Sequence, residues 1–99
     1  MEITSPLCRA ARALVQWPRA QLAATSGIAK SAIRAFETGD VDPGDEAKAA
    51  LRQALEGAGA VFLDEDDLGI GVRLRFTRKD VKQLRRLEGE GGVTGDDDV

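Results

Sequence analysis

The sequence predicts a mainly α-helical fold in which four helices are followed by a short β-hairpin and a last helix. Apolar residues recur at helical spacing through most of the first half of the chain. Beyond Ala60 the pattern changes, and Val72-Arg73-Leu74-Arg75-Phe76 alternates as a half-buried strand does. We therefore divide the chain into a helical domain (1–59), a hairpin with its helix (60–88) and a disordered acidic tail (89–99).

Composition narrows the classes of function. The 99 residues make one small domain, with three Phe and one Trp as its aromatic bulk. The single cysteine, Cys8, has no partner for a disulfide and is expected at a surface or boundary position. The chain has no His, no Tyr and no phosphate-binding glycine motif, so no enzyme, metal or cofactor is expected. Without a signal segment or a membrane span, a soluble cytoplasmic protein is predicted.

Charge is distributed unevenly along the chain. The formal net charge is −3, yet no acidic residue occurs between Ile3 and Phe36. Affinity for phosphate depends on the local field, so a basic face on an acidic molecule is compatible with nucleic-acid binding. The basic residues of this stretch are Arg9, Arg12, Arg19, Lys30 and Arg34.

Capping and turn residues place the first, second and fourth helices. Ser5 is expected to cap helix one, with Pro6 in its first position. Trp17-Pro18 ends helix one and begins helix two, and Trp17 is favoured as a core residue over a platform for stacked bases. A fourth helix is predicted from Asp45 to Glu56, followed by Gly57.

Residues 21–39 predict two short helices joined by a turn at Gly27. Glycine supplies the positive φ that a sharp turn between helices requires. After Gly27 the apolar residues keep helical spacing, and the opposite face presents Lys30, Ser31 and Arg34. Taken alone, this pattern fits two surface helices of an ordinary α-helical domain as well as a pair that reads DNA.

A family resemblance favours the DNA-reading interpretation. The run Gln21-Leu22-Ala23, Ser26-Gly27-Ile28, Ile33, Phe36-Glu37 and Gly39 resembles the helix–turn–helix of the Cro/phage-repressor class, often called the XRE family. The likeness implies a structural ion pair between Glu37 and Arg12 of helix one. The other scaffold positions that it implies are Leu22, Ala23, Gly27, Ile33 and Phe36.

The same resemblance implies a DNA-contacting surface. By its register, the base-reading residues are Lys30, Ser31 and Arg34. The expected phosphate contacts are Arg19 at the start of helix two, Gln21 and Thr38. For Arg19 a solvated charge is the alternative.

The hairpin sequence is similar to that of short bacterial Cro-like regulators. We predict strands at 60–63 and 72–76 with a loop over 64–71. A lone two-stranded hairpin is marginal in water, so it is expected to pair with its copy in a second subunit. The predicted interface residues are Val61, Phe62, Leu63, Val72, Leu74 and Phe76. Packing of the hairpin on its own helices is the alternative.

These expectations lead to one predicted function and one alternative. The basic amphipathic stretch from Thr77 to Glu88 is interpreted as a helix that stabilises the dimer, ahead of a phosphate-contacting arm or a protein-binding helix. The predicted function is a dimeric, nucleoid-associated regulator that binds an inverted repeat in double-stranded DNA, most simply as a repressor. The alternative is a protein-interaction module on the same scaffold, such as an antitoxin-like protein or an anti-activator. Membrane binding is not expected.

Overall fold

A computed structural model describes residues 2–75, which form four helices followed by an antiparallel hairpin. The helices are α1 (Ser5–Val15), α2 (Arg19–Ser26), α3 (Lys30–Glu37) and α4 (Asp45–Gly57), and the strands are β1 (Ala60–Asp66) and β2 (Gly69–Leu74). The predicted four helices and hairpin are confirmed. Among residues 2–75 no helix is both long enough and apolar enough to cross a membrane. The predicted last helix (77–88), the tail (89–99) and Phe76 lie outside the described residues.

The start of α1 differs from the prediction by one residue. Thr4 is the N-cap, and its Oγ1 accepts a hydrogen bond from the backbone N of Leu7 at 3.3 Å. Ser5 is already helical, and its hydroxyl donates instead to the carbonyl of Glu37 at 2.8 Å. The predicted cap was wrong because a tertiary acceptor takes the Ser5 hydroxyl that local sequence assigns to capping.

The end of α1 places Trp17 against the core. Gln16 adopts a left-handed conformation with φ 61°, and the Trp17 backbone N donates to the Arg12 carbonyl at 2.9 Å. This bonding satisfies carbonyls that the last turn of a helix leaves free. Trp17 is half-buried and packs against the core, in agreement with the interpretation of this residue as a core residue.

One apolar core joins the four helices to one face of the hairpin. The β1 strand contacts α1 and α4, and β2 contacts α1. The buried apolar residues are Ile3, Leu7, Cys8, Ala11, Leu22, Ile33, Phe36, Leu51, Leu55, Ala60 and Phe62. The hairpin therefore packs on the helices of its own chain, which is the alternative left open by the sequence.

The hairpin is longer and its turn tighter than predicted. The strands pair from Ala60 with Leu74 to Asp66 with Gly69, so most of the predicted loop 64–71 is strand. Gly69 adopts φ +101°, and the Leu68 backbone N donates to Asp66 Oδ1 at 2.8 Å. An irregular register between Leu63 and Asp66 absorbs the unequal strand lengths. Acidic composition suggested a loop, but pairing overrides local propensity here.

The predicted interface residues divide between the two faces of the hairpin. Phe62 is 6% exposed and Val72, its partner across the ladder, also packs against the core. The guanidinium of Arg52 lies 5.2 Å from the centre of the Phe62 ring. Because side chains alternate along a strand, Val61 and Leu63 lie on the opposite, outer face, where Leu63 is 39% exposed. We name the face that carries Val61 and Leu63 the outer hairpin face.

We expect Phe62→Ala to lower the free energy of unfolding by about 3 kcal/mol, because it leaves a cavity where the hairpin meets the core. Val41→Ala, at an exposed position in the segment before α4, is the control and should cost less than about 1 kcal/mol. Urea unfolding of both variants measures the difference. Equal losses would show that the inner face is not part of the core.

Candidate nucleic-acid interface

The turn between α2 and α3 depends on backbone conformation. Gly27 has φ +79°, and its N donates to the Ala23 carbonyl at 2.9 Å. A Cβ built at this position would meet nothing within 4 Å, so the requirement for glycine is conformational and not steric. Beyond the turn, the Ile28 backbone N donates to Ser26 Oγ at 3.1 Å.

The α3 helix has a buried face and an exposed face. Ile33 is fully buried and Phe36 is 7% exposed, and both pack in the core beside Leu22 of α2. These positions are the scaffold that the family resemblance implied. Their burial fixes which side of α3 faces outward.

The outward side carries the three predicted base-reading residues. Lys30, Ser31 and Arg34 are all exposed. They line one open concavity with Ala35, Thr38 and Asp40, which we name the α3 face. Among residues 2–75, no ion pair joins Lys30 or Arg34 to an acid. Their charged groups are therefore directed to solvent, where an anionic or hydrogen-bonding partner can reach them.

A buried carboxylate at the end of α3 receives donors from α1 and α2. Glu37 is fully buried. It accepts hydrogen bonds from Arg12 through Nε at 2.7 Å and Nη2 at 2.8 Å. Arg19 Nε donates to the same carboxylate at 2.8 Å, and Cys8 Sγ lies 3.1 Å from Oε2. We name these four residues the Glu37 cluster, which holds three helices together at one point.

Sequence reasoning found only half of this cluster. The structure places Arg12 on Glu37, as the resemblance implied, but the contacts of Cys8 and Arg19 were missed. The expected surface or boundary position of Cys8 was wrong, because its side chain is fully buried. Cys8 precedes Arg12 by four residues, and this spacing puts both on the same side of α1. That spacing was the available signal.

The protonation states of the cluster follow from its contacts. Burial raises the pKa of Glu37, but the hydrogen bonds from Arg12, Arg19 and Cys8 outweigh it and lower the pKa to about 2. Burial, followed by the hydrogen bond to Glu37, raises the pKa of the Cys8 thiol far above its usual range. At neutral pH the cluster therefore contains a carboxylate, two guanidinium groups and a protonated thiol that acts as a donor.

The backbone of Glu37 is fixed as well. Its carbonyl accepts Ser5 Oγ at 2.8 Å and Arg9 Nη1 at 3.1 Å. The last residue of α3 is therefore bound to α1 through both its side chain and its main chain. This attachment sets the orientation of α3, and with it the direction in which Lys30 and Arg34 extend.

Each predicted phosphate contact already has a hydrogen bond within the protein. Arg19 uses Nε on Glu37, although its side chain remains 30% exposed. Gln21 Nε2 donates to Thr25 Oγ1 at 3.0 Å. The Thr38 hydroxyl lies within hydrogen-bonding distance of backbone carbonyls of α3 and of Asp40. Phosphate binding by these three residues stays a prediction.

A second charged cluster, which sequence reasoning missed, lies at the start of α4. Lys48 is 8% exposed, and its Nζ lies 2.9 Å from Asp42 and 3.1 Å from Glu2. Asp42, followed by Glu2, raises the pKa of Lys48, so the amine stays charged. These ion pairs join the N-terminal segment and the segment after α3 to α4.

Comparison with known proteins shows no family for this chain. No protein-family model matches the chain, and no curated protein matches it. The likeness to the Cro/phage-repressor class therefore rests on the motif residues themselves and stays a prediction.

Proposed function

We propose that this protein is a sequence-specific DNA-binding regulator that reads the major groove with α3. The observation that carries the proposal is the α3 face, on which Lys30, Ser31 and Arg34 are exposed together while the opposite side of the helix is buried. In the described part of the chain, neither cation is paired with an acid. Outward cations without acidic partners favour DNA binding over protein binding. Arg19, which was expected on the same face, instead donates to Glu37.

The dimensions and chemistry of α3 suit a major groove. The helix has eight residues, which corresponds to a length of about 12 Å. Positions 30 and 34 are four residues apart and positions 31 and 34 are three apart, so Lys30 and Ser31 both lie beside Arg34 on one side of the helix. Lys and Arg donate to O6 and N7 of guanine, and Ser serves several bases. The face is therefore chemically suited to a G-containing half-site.

Few base contacts per subunit favour a dimer. Three reading side chains give a single subunit limited discrimination, since a good base contact contributes about 1–3 kcal/mol. The outer hairpin face exposes Leu63, and β1 and β2 pair with no other strand among residues 2–75. This face and the two strand edges therefore offer a surface for a second copy. Two α3 helices related by a two-fold axis would read half-sites about 34 Å apart. Occlusion of a promoter is the simplest mode of action, so we propose a repressor.

Binding to the DNA upstream of its own gene tests the proposal. We expect a labelled duplex from this region to bind more tightly than a scrambled duplex, with affinity falling steeply between about 50 and 200 mM salt. Inserting half a helical turn between the half-sites should abolish the preference. Equal binding of target and scrambled duplexes at every salt concentration would reject sequence-specific recognition.

A protein-interaction module is the second candidate, and the far end of the hairpin favours it. Leu68 at the turn is 95% exposed and Ile70 is 48% exposed. Such side chains are typical of a surface that a protein partner covers. Under this alternative, the combined substitutions Leu68→Ser and Ile70→Ser abolish binding to the partner protein. They have no effect on DNA binding.

A further inference from the structure

We propose that Asp40 is an affinity-limiting residue of the α3 face, which keeps DNA phosphate away from the end of α3. This inference rests on the proposed function and deepens it. The α3 face carries charges of both signs. Beside the cations Lys30 and Arg34, the same concavity is lined by one carboxylate, that of Asp40.

The position of Asp40 is fixed by the end of the helix. Gly39 has φ +84°, and its N donates to the Phe36 carbonyl at 3.0 Å. The Asp40 backbone N donates to the Ala35 carbonyl at 2.9 Å. This pair of bonds is the glycine-terminated helix cap, which holds the residue after the glycine close to the last turn. Asp40 therefore has a defined place beside Thr38.

Stability gives no reason for an acid at this place. A carboxylate near the C-terminus of a helix is unfavourable, because the exposed carbonyls carry partial negative charge. Among residues 2–75, no Lys or Arg forms an ion pair with Asp40. Its Oδ2 instead lies 3.1 Å from Thr38 Oγ1, a hydroxyl that is also within hydrogen-bonding distance of the carbonyls of Arg34 and Ala35. The charge is thus directed at the neighbouring hydroxyl and the surface around it.

The geometry sets how strongly Asp40 opposes a phosphate at Thr38. A hydroxyl has one hydrogen to donate, so a phosphate can take it only by displacing an internal acceptor. Thr38 Oγ1 lies 3.1 Å from Asp40 Oδ2. A phosphate oxygen bonded to the same hydroxyl, at about 2.8 Å, would then lie at most about 6 Å from the carboxylate. Repulsion between two unit charges at about 6 Å lowers affinity about 3-fold in water and about 10-fold at half that dielectric constant.

Binding then depends on the base contacts. Lys30 and Arg34 lie toward the start and middle of α3, whereas Asp40 follows its end. The phosphate contact at Thr38 is lost on every DNA sequence. Only on the target do base contacts compensate for that loss of binding free energy. Asp40 lowers the affinity of each subunit for DNA, so stable occupancy of the site requires two bound subunits.

Replacing Asp40 by Asn, with a matched control, tests the inference. We expect Asp40→Asn to bind target and scrambled duplexes about 3- to 10-fold more tightly, with a salt slope steeper by about one phosphate contact. Glu65→Gln removes the same charge from the hairpin and should stay within about twofold of wild type. The melting temperature of Asp40→Asn should equal or exceed that of wild type.

Thr38→Val tests whether the Thr38 hydroxyl causes the higher DNA affinity expected for Asp40→Asn. In the wild-type background we expect no change in affinity, because on this proposal Asp40 prevents the phosphate contact that the sequence predicts for Thr38. In the Asp40→Asn background the same substitution should remove the steeper salt slope. If Asp40→Asn and Glu65→Gln have equal effects, the role of Asp40 is refuted while DNA binding stands. If the wild-type protein binds no DNA, the proposed function fails and this inference falls with it.

Discussion

Glu37→Gln is expected to lower the free energy of unfolding by about 3–5 kcal/mol. The change leaves the guanidinium groups of Arg12 and Arg19 beside a neutral amide in a fully buried position. Removing one member of a buried, hydrogen-bonded ion pair costs this much because the remaining charge is left uncompensated. The amide nitrogen of the Gln side chain is itself a donor, and it would face the N–H donors of Arg12 and Arg19 without an acceptor between them.

Urea unfolding at neutral pH measures this loss, with Glu46→Gln as the matched control. Glu46 is exposed in the first turn of α4, so its substitution should cost less than about 1 kcal/mol. A Glu37→Gln variant as stable as the control would show that the cluster does not stabilise the fold.

The pH dependence of stability gives a second measurement on the same variant. The folded pKa of Glu37 is about 2, below the ordinary value of 4.5 that applies to the unfolded chain. The carboxylate therefore contributes its full stabilisation, about 3 kcal/mol, above pH 4.5 and loses it as pH falls toward 2. We expect the stability difference between wild type and Glu37→Gln to shrink across this window. A difference that is constant from pH 6 to about pH 2 would contradict the lowered pKa.

Lys30→Ala combined with Arg34→Ala is expected to abolish the preference for target DNA. Each side chain should contribute about 1–3 kcal/mol if it reads a base, so the double variant should lose at least about 30-fold in affinity for the target. Both residues are exposed, so the fold should be unaffected. The affinity for scrambled DNA should fall much less.

Anisotropy titrations of target and scrambled duplexes separate base reading from general electrostatics. Arg73→Ala removes a positive charge from the exposed surface of the hairpin and is the control for net charge. If the double variant loses affinity equally for both duplexes, Lys30 and Arg34 contact phosphates and not bases. If it binds as Arg73→Ala does, the α3 face is not the DNA-binding surface.

The Glu37→Gln variant and the Lys30→Ala, Arg34→Ala double variant test the same causal link between the Glu37 cluster and DNA recognition. Glu37 fixes the end of α3 to α1 and α2, and α3 in turn directs Lys30 and Arg34 outward. A loosened cluster should therefore weaken target recognition even where the protein remains folded. The two sets of measurements on Glu37→Gln, unfolding and DNA affinity, are linked in this way.

Local sequence determined the helices and the turn between α2 and α3. The positive φ at Gly27 and the exposure of Lys30 and Arg34 follow from glycine conformation and helical periodicity, which involve only near neighbours. The same reasoning placed the strands but shortened them, because the acidic residues near the turn have low strand propensity and pairing outweighs it. The hairpin prediction therefore held for the existence of the strands and was wrong about the loop 64–71.

Only the tertiary structure showed that Cys8 and Arg19 belong to the Glu37 cluster and that the hairpin packs on its own helices. Cys8 and Arg19 are separated from Glu37 by 29 and 18 residues, and hydrogen bonds over such separations form only after three helices have packed. Strand alternation shows that Phe62 and Val72 share a face, but it does not show what covers that face. The sequence by itself determined which residues α3 exposes. The packed helices decided what holds α3 in place, because an ion pair depends on where side chains meet in space and not on their order along the chain.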